Sequence, residues 1–285
     1  MPRRRPWHPA TQLALLHAAP GFTVIAIGLA FGVVAGRHHL QPVRLGLLAG
    51  LLATNQYAAG ALNDAVDVER DVDAGRAAEK PIPSGAISRR AVVGLAVAGG
   101  VASLCFGLAL GPATLGLAVV ALACAWGYDL WLKGTAFSVL PFAIAVPLVP
   151  LFGYGAAGRF PPVLWWAWPI GALAAVAVHL ADSLPDVESD RAAGVKGLAP
   201  RIGVRAAAAL VVGAYLVAGA IALASGLAAG DGRVVVWGAA LAAALGLTAL
   251  LAGAAGGQRR RRIAYRLLLA GLVALAIGWA GAVRP

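Results

Sequence analysis

Acidic residues are scarce. The chain has twelve Asp and Glu in 285 positions, against 23 Lys and Arg. Charged residues of both signs make up 12% of the total, about half the usual share, which excludes an ordinary water-soluble globule. Only two cysteines occur, Cys105 and Cys124, each inside an apolar run and without metal-ligand spacing. That excludes a disulfide framework and a cysteine-based zinc site, and leaves two thiols expected to be packed in the core. Long polar stretches are missing too, so no separate soluble domain is expected and residues 1–285 read as one unit. No basic stripe interleaved with aromatics accompanies the net charge of +11, so nucleic acid is not an expected partner.

Apolar sequence is what the chain has in excess. Hydrophobic residues reach 60%, and runs of the length that crosses a bilayer core recur. Nine spans are expected, at 11–35, 43–62, 91–110, 112–132, 136–153, 163–181, 206–229, 234–255 and 264–282. Abundant Gly and Ala within them fit closely packed membrane helices. The fold class expected is therefore all-α, a polytopic membrane protein of nine transmembrane helices. Nine spans put Arg3–Arg5, the bases of 70–90, Lys133, the bases of 191–205 and those of 259–266 on one side. That side holds 18 of the 23 Lys and Arg, which places it in the cytoplasm, with the N-terminus inside and the C-terminus outside. The basic start lacks an Ala-x-Ala stop, so the first span reads as uncleaved. The Ala-, Gly- and Arg-rich composition is compatible with a GC-rich bacterium, and the expected location is a bacterial inner membrane.

The few acids are concentrated. Ten of the twelve lie in two clusters that border apolar runs, at 64–79 and 182–190, leaving only Asp129 and Asp231 elsewhere. Both clusters fall in the expected cytoplasmic loops, about 63–90 and 182–205. Carboxylates are costly beside hydrocarbon, and their concentration there marks function. If the second span continues as a helix, Asn63, Asp64, Asp67 and Asp71 share an arc of about 100°, with Glu69 and Asp73 opposite. Gln56 and Gly60 lie upstream on the same face. Asp182, Asp186 and Asp190 repeat at i, i+4 and i+8, with Glu188 turned away, and Pro185 is placed to kink or end that helix. Lys80, Arg76, Lys133, Arg191 and Lys196 accompany the acids. Carboxylates alone suit a bare cation, whereas carboxylates mixed with Lys and Arg suit a magnesium-bound oligophosphate.

Other polar residues have two readings each. An isolated interfacial Asp or Arg is usually a solvated loop charge, but two clusters on one face argue against that here. Gln56, beside Asn55, either bonds between helices or lines an acceptor pocket. His179, three residues before Asp182, is either a structural hydrogen-bonder or an acceptor-site residue. His38 and His39 read as surface residues on the far side. Trp126, Trp131, Trp165, Trp166 and Trp168 fit interfacial belts. The run Arg259–Arg262 reads as a topology signal touching anionic lipid.

Four ordered motifs carry a resemblance. They are Asn63-Asp64-x-x-Asp67-x-x-x-Asp71; Lys80-Pro81-Ile82-Pro83-Ser84-Gly85; Tyr128 through Lys133 to Thr135; and Asp182-x-x-x-Asp186-x-x-x-Asp190-Arg191-x-x-Gly194-x-Lys196. With the nine-span plan, they make the chain resemble the UbiA superfamily of intramembrane prenyltransferases over essentially its whole length. The resemblance implies nine helices around a central cavity, and Mg2+ bridging the two Asp motifs to a polyprenyl diphosphate. The activity it implies is prenyl transfer to an acceptor, most often an aromatic or quinone-precursor ring, with the tail among membrane lipid. It implies that Asn63, Asp67, Asp71, Asp182 and Asp186 hold metal or diphosphate, supported by Asp64 and Asp190. Lys133, Lys196, Arg76 and Tyr128 are implied diphosphate contacts. Asp182 stands where many members have Asn, and Leu184-Pro185 replaces a more usual polar or basic pair, a departure that bears on the acceptor. Alternatives are a terpene cyclase of the same family, prenyl transfer to a non-aromatic alcohol, and a cation transporter. The last is disfavoured because transporters hold their sites at mid-membrane.

Overall fold

The structure is a computed structural model. It describes residues 18–36, 41–73, 75, 77–192, 194, 196–230, 232–254 and 258–283. Among them the long elements are helical: α1 Ala18–Gly36, α2 Pro42–Val66, α3 Val68–Asp73, α4 Arg89–Leu110, α5 Pro112–Gly127 and α6 Leu140–Ala156. They continue as α7 Ala167–Ser183, α8 Val187–Ala192, α9 Leu198–Ile202, α10 Val204–Ala229, α11 Gly232–Ala254 and α12 Gln258–Ala282. A π-helical turn, Tyr128–Leu132, follows α5, and a 3-10 turn, Pro162–Trp166, precedes α7.

Seven helical stretches are long and apolar enough to cross a membrane. They match the second, third, fourth and sixth to ninth expected spans. The other two expected spans coincide with shorter apolar helices, Gly21–Gly36 and Leu140–Ala156. The latter has 17 residues. At 1.5 Å per residue that is about 25 Å, short of a hydrocarbon core of about 30 Å. Pro147 and Pro150 also lie inside it, each removing a backbone donor.

The chain forms two compact units: residues 1–130 with 152–158, and residues 131–151 with 159–285. In the first, α2 packs along α4, and α1 and α5 pack on that pair. Small residues permit the approach. A β-carbon on Gly99 would lie 3.2 Å from the Thr54 carbonyl oxygen and 3.4 Å from the Ala58 β-carbon. Buried Asn55 donates to Ser103 Oγ at 3.4 Å across the same interface, a helix-to-helix bond of the kind that joins membrane helices. Arg44 donates to the carbonyls of Leu110 and Gly155, and also to that of Ala156. Two helix C-termini are thereby satisfied by one side chain. The outward face of α4 carries Val93, Val97, Val101 and Leu108, at the spacing of one helical face. Cys105 is also exposed on α4, which corrects its expected place in the core. Cys124 is partly buried, and both thiols are free.

In the second unit, α11 lies against α12 and α7 against α10. A β-carbon on Gly238 would come within 2.8 Å of the Gly278 α-carbon, and the converse holds, so these backbones nearly touch. Trp279 Nε1 donates to Ser225 Oγ at 2.9 Å, and Tyr215 donates to the Ala242 carbonyl. Trp131, Trp165, Trp166 and Trp237 are exposed, as interfacial belt residues would be.

Candidate active site

The first Asp motif sits where a membrane helix breaks. α2 ends at Val66, and Asp67 adopts φ −85°, ψ 9°, outside the regular helical region. The backbone ladder nonetheless persists through it. Asp67 N–H donates to the Asn63 carbonyl at 2.9 Å, and Asp71 N–H donates to the Asp67 carbonyl at 2.8 Å. Asn63, Asp67 and Asp71 therefore stay in register across the break. Burial divides the acids: Asp64 and Asp71 are each 2% exposed, while Glu69 and Asp73 are exposed. Asp67 is half-buried, with Arg70 at 3.5 Å.

Lys80 supplies a cation inside this cluster. Its Nζ lies 2.6 Å from Asp64 Oδ1 and 3.9 Å from Asp71 Oδ2. The Lys80–Gly85 motif explains the placement. Ser84 N–H donates to the Lys80 carbonyl, and Gly85 N–H to that of Ile82. The Pro81 carbonyl accepts from the amides of Ala86 and Ile87 and from Ser84 Oγ. Gly85 takes φ +73°, which a residue without a β-carbon adopts at no steric cost. Ile87 then joins a core with Ala61, Ala65, Val92 and Ala96, and Ile82 packs against it. The turn is thus pinned to α2 and α4. Desolvated charges need such pairing, since a buried carboxylate alone is strongly disfavoured.

Asp129, in the π-helical turn after α5, is buried and accepts from Asn63 Nδ2 at 2.7 Å. Sequence reasoning passed over it as a leftover acid. Its only signal was its place beside Tyr128 in the third motif.

The second motif has the same local plan at an offset of 119 residues. α7 ends at Ser183, Asp186 precedes the six-residue α8, and Asp190 N–H donates to the Asp186 carbonyl at 2.8 Å. Gly75 and Gly194, at the same offset, close the two short helices at φ +72° and +73°. Here Pro185 accounts for the break, because it has no N–H to continue the ladder. The i, i+4, i+8 repeat of Asp182, Asp186 and Asp190 is thus interrupted at the proline expected to kink or end the helix. Asp182 is exposed, and Asp186 and Asp190 are half-buried. Burial, and then the Asp186 charge, raises the Asp190 carboxyl above its ordinary range. Arg262 lies 3.9 Å from Asp186, and Arg261 donates to the Leu184 carbonyl at 3.2 Å. Both belong to α12, which begins at Gln258 rather than after the arginine run. Two arginines read as topology signals thus also brace the second motif.

The remaining residues singled out are placed as follows. Tyr128 and Lys133 are half-buried, at either end of the π-helical turn. Lys196 is exposed. Gln56 is half-buried on α2. His179 Nε2 lies 3.1 Å from buried Ser138 Oγ, with the Phe142 ring centred 5.0 Å away. Arg76 lies outside the described residues.

The sequence model of the UbiA prenyltransferase family matches residues 22–272. The chain belongs to this family. With its apolar helices, that makes it an integral membrane protein. Over 140 residues it is 37% identical to a protoheme IX farnesyltransferase of Rhizobium leguminosarum, covering 48% of this chain and 40% of that one. Over 143 residues it is 26% identical to a 4-hydroxybenzoate octaprenyltransferase of Vibrio campbellii, covering 50% of each. The matches thus span half or less of these relatives' lengths. In fold it is similar to a UbiA homolog from Archaeoglobus fulgidus bound to GPP and Mg2+. The TM-score is 0.66 at 17% identity, covering 93% of this chain and 86% of that one.

The donor set fits magnesium. Asp67, Asp71 and the Asn63 amide offer hard oxygen atoms, the type this ion takes. Among the described residues no three His, Cys, Asp or Glu side chains close into a cage. Magnesium needs none, because it keeps waters and shares substrate phosphate oxygens with one or two carboxylates.

Proposed function

We propose that this UbiA-family protein is a magnesium-dependent prenyltransferase that moves a polyprenyl group from its diphosphate to an aromatic acceptor. The observation that carries the reading is the pair of buried carboxylates, Asp64 and Asp71, held with half-buried Asn63, Asp67 and Lys80 at a break in a membrane helix. Asp67, Asp71 and the Asn63 amide oxygen would hold the cation in the first unit, and Asp182, Asp186 and Asp190 would offer carboxylates in the second. Lys80 balances Asp64 and Asp71, so Asp64 supports the site by fixing that ammonium. Lys133, Lys196, Arg76 and Tyr128 are the residues read as contacts to the diphosphate, and Gln56 and His179 are each read as an acceptor contact. When bound, Mg2+ supplies positive charge against the diphosphate as it departs. The bond from prenyl C1 to the diphosphate oxygen breaks with both electrons leaving on oxygen. A ring carbon of the acceptor attacks the allylic cation to form the new carbon–carbon bond, and loss of the ring proton restores aromaticity. The relatives' names support prenyl transfer, to protoheme IX in one and to 4-hydroxybenzoate in the other.

The sidedness proposed is a bacterial inner membrane, with the N-terminus and both Asp motifs cytoplasmic and the C-terminus outside. The test of function uses the purified chain with labelled prenyl diphosphates and a panel of acceptors. Turnover is expected to stop with EDTA and return with Mg2+. Turnover that survives EDTA, with residual metal excluded, overturns the chemistry. Cyclised product without acceptor, or transfer only to an alcohol, replaces the aromatic reading with one of those two. Absence of thermal protection by any prenyl diphosphate leaves the transporter reading.

A further inference from the structure

The bond between Asn63 and Asp129 fixes more than a distance. An ionised carboxylate only accepts hydrogen bonds, whereas an asparagine amide has one donating and one accepting end. With Asp129 Oδ1 at 2.7 Å from Nδ2, the donating end of Asn63 is committed, and its Oδ1 is turned the other way. Rotated by half a turn, the same amide would set oxygen against carboxylate and offer NH2 to a cation, which cannot bind it. Asp129 is 7% exposed, so water competes little for its oxygen atoms. It is carried by a π-helical turn, a local departure that costs regular helix bonding and recurs at functional positions.

We propose that Asp129 is a positioning residue. It holds the Asn63 amide so that its oxygen, not its nitrogen, faces the metal ion that would bind with the diphosphate. This rests on the reading of Asn63 as a cation ligand given above. Partners that orient metal ligands in this way are typically worth 10–100-fold in metal affinity.

The test is Mn2+ binding to the purified full chain, followed by electron paramagnetic resonance in the presence of inorganic diphosphate. Asp129→Leu, similar in size but without an acceptor, is expected to weaken Mn2+ binding by about tenfold or more. Asp129→Asn, whose amide oxygen can take the same bond, is expected to lose less. The deciding variant is Asn63→Asp combined with Asp129→Leu. A carboxylate presents oxygen whichever way it rotates, so it needs no orienting partner and is expected to recover binding lost in Asp129→Leu. A purely structural role for Asp129 predicts no such rescue. If Asp129→Leu is lost from the detergent extract, Asp129→Ser, too short to reach Asn63, takes its place. Wild-type binding in Asp129→Leu, or failure of the rescue, overturns the proposal. If wild type itself binds no Mn2+ under these conditions, the metal reading fails and this proposal with it. If Asp67→Asn abolishes binding while Asp129→Leu does not, only the positioning role fails.

Discussion

Four carboxylates within seven residues differ mainly in direction, and that makes them a decisive test. Asp67 and Asp71 lie on the inner side of the break after α2, while Glu69 and Asp73 are exposed. If the site works by coordination, direction matters. If it works as an acidic surface, only charge and distance matter. The magnitudes are far apart. A unit charge about 10 Å from a cation contributes about 0.4 kcal/mol in water, roughly twofold in affinity, and less once salt screens it. Losing even a partner behind a metal ligand costs 10–100-fold, and losing a ligand itself is expected to cost about 100-fold or more. Asp67→Asn and Asp71→Asn should therefore reduce Mn2+ affinity and diphosphate release from prenyl substrates by about two orders of magnitude. Glu69→Gln and Asp73→Asn should stay within about twofold of wild type. The assays are Mn2+ titration with inorganic diphosphate and initial rates of diphosphate release at fixed ionic strength. Equal losses in all four variants would refute the directional site and leave diffuse attraction as the better account.

Three further outcomes are expected. Lys80→Met should lower stability by about 2–3 kcal/mol, because it removes the ammonium paired with the buried Asp64 carboxylate; adding Asp64→Asn should recover part of that loss in detergent melting curves, and no recovery would refute the pairing. Arg262→Gln should change stability by less than about 0.5 kcal/mol, since its pair with Asp186 is exposed on both sides. A melting shift larger than that of Arg261→Gln, which loses a bond to a half-buried carbonyl, would reverse this order. In a chain whose Cys105 and Cys124 are replaced, single cysteines at Asp73 and Arg159 should label from opposite sides of the membrane; labelling from one side would show the topology is wrong.

Much of the fold was legible because apolar runs near 20 residues have few other uses. Seven of the nine expected spans recur as helices long enough to cross a membrane. Of the two spans that coincide with shorter helices, Leu140–Ala156 carries its warning in Pro147 and Pro150. What was not legible is mostly non-local. The break at Asp67 occurs in a stretch with neither Pro nor Gly, so residues 61–73 read as one continuous helix. Asp129 is the only acid in its motif, and its partner Asn63 lies 66 positions away. Arg261 and Arg262 resembled a loop signal because the run of four arginines hid the start of α12.

The two Asp motifs share spacing but differ in what enforces it, and the difference indicates what the spacing is for. One is broken without proline and the other by Pro185, yet each yields a membrane helix, a short interval (Asp67 alone in one, Leu184–Asp186 in the other), a six-residue helix and a left-handed glycine at the same offset. Packing for its own sake does not require this. An uninterrupted helix would satisfy every backbone bond, which matters most near hydrocarbon. In the first motif the bonds between Asn63 and Asp67 and between Asp67 and Asp71 survive the break, and in the second the bond between Asp186 and Asp190 does; surrendering regular helix geometry while keeping these is understandable if the carboxylates, not the helix, are the selected feature. In the first motif the surrounding side chains agree. Lys80 pairs with Asp64, Asp129 takes the Asn63 amide nitrogen, and Arg70 reaches Asp67. Each leaves oxygen atoms of the same short stretch of chain in place for a cation.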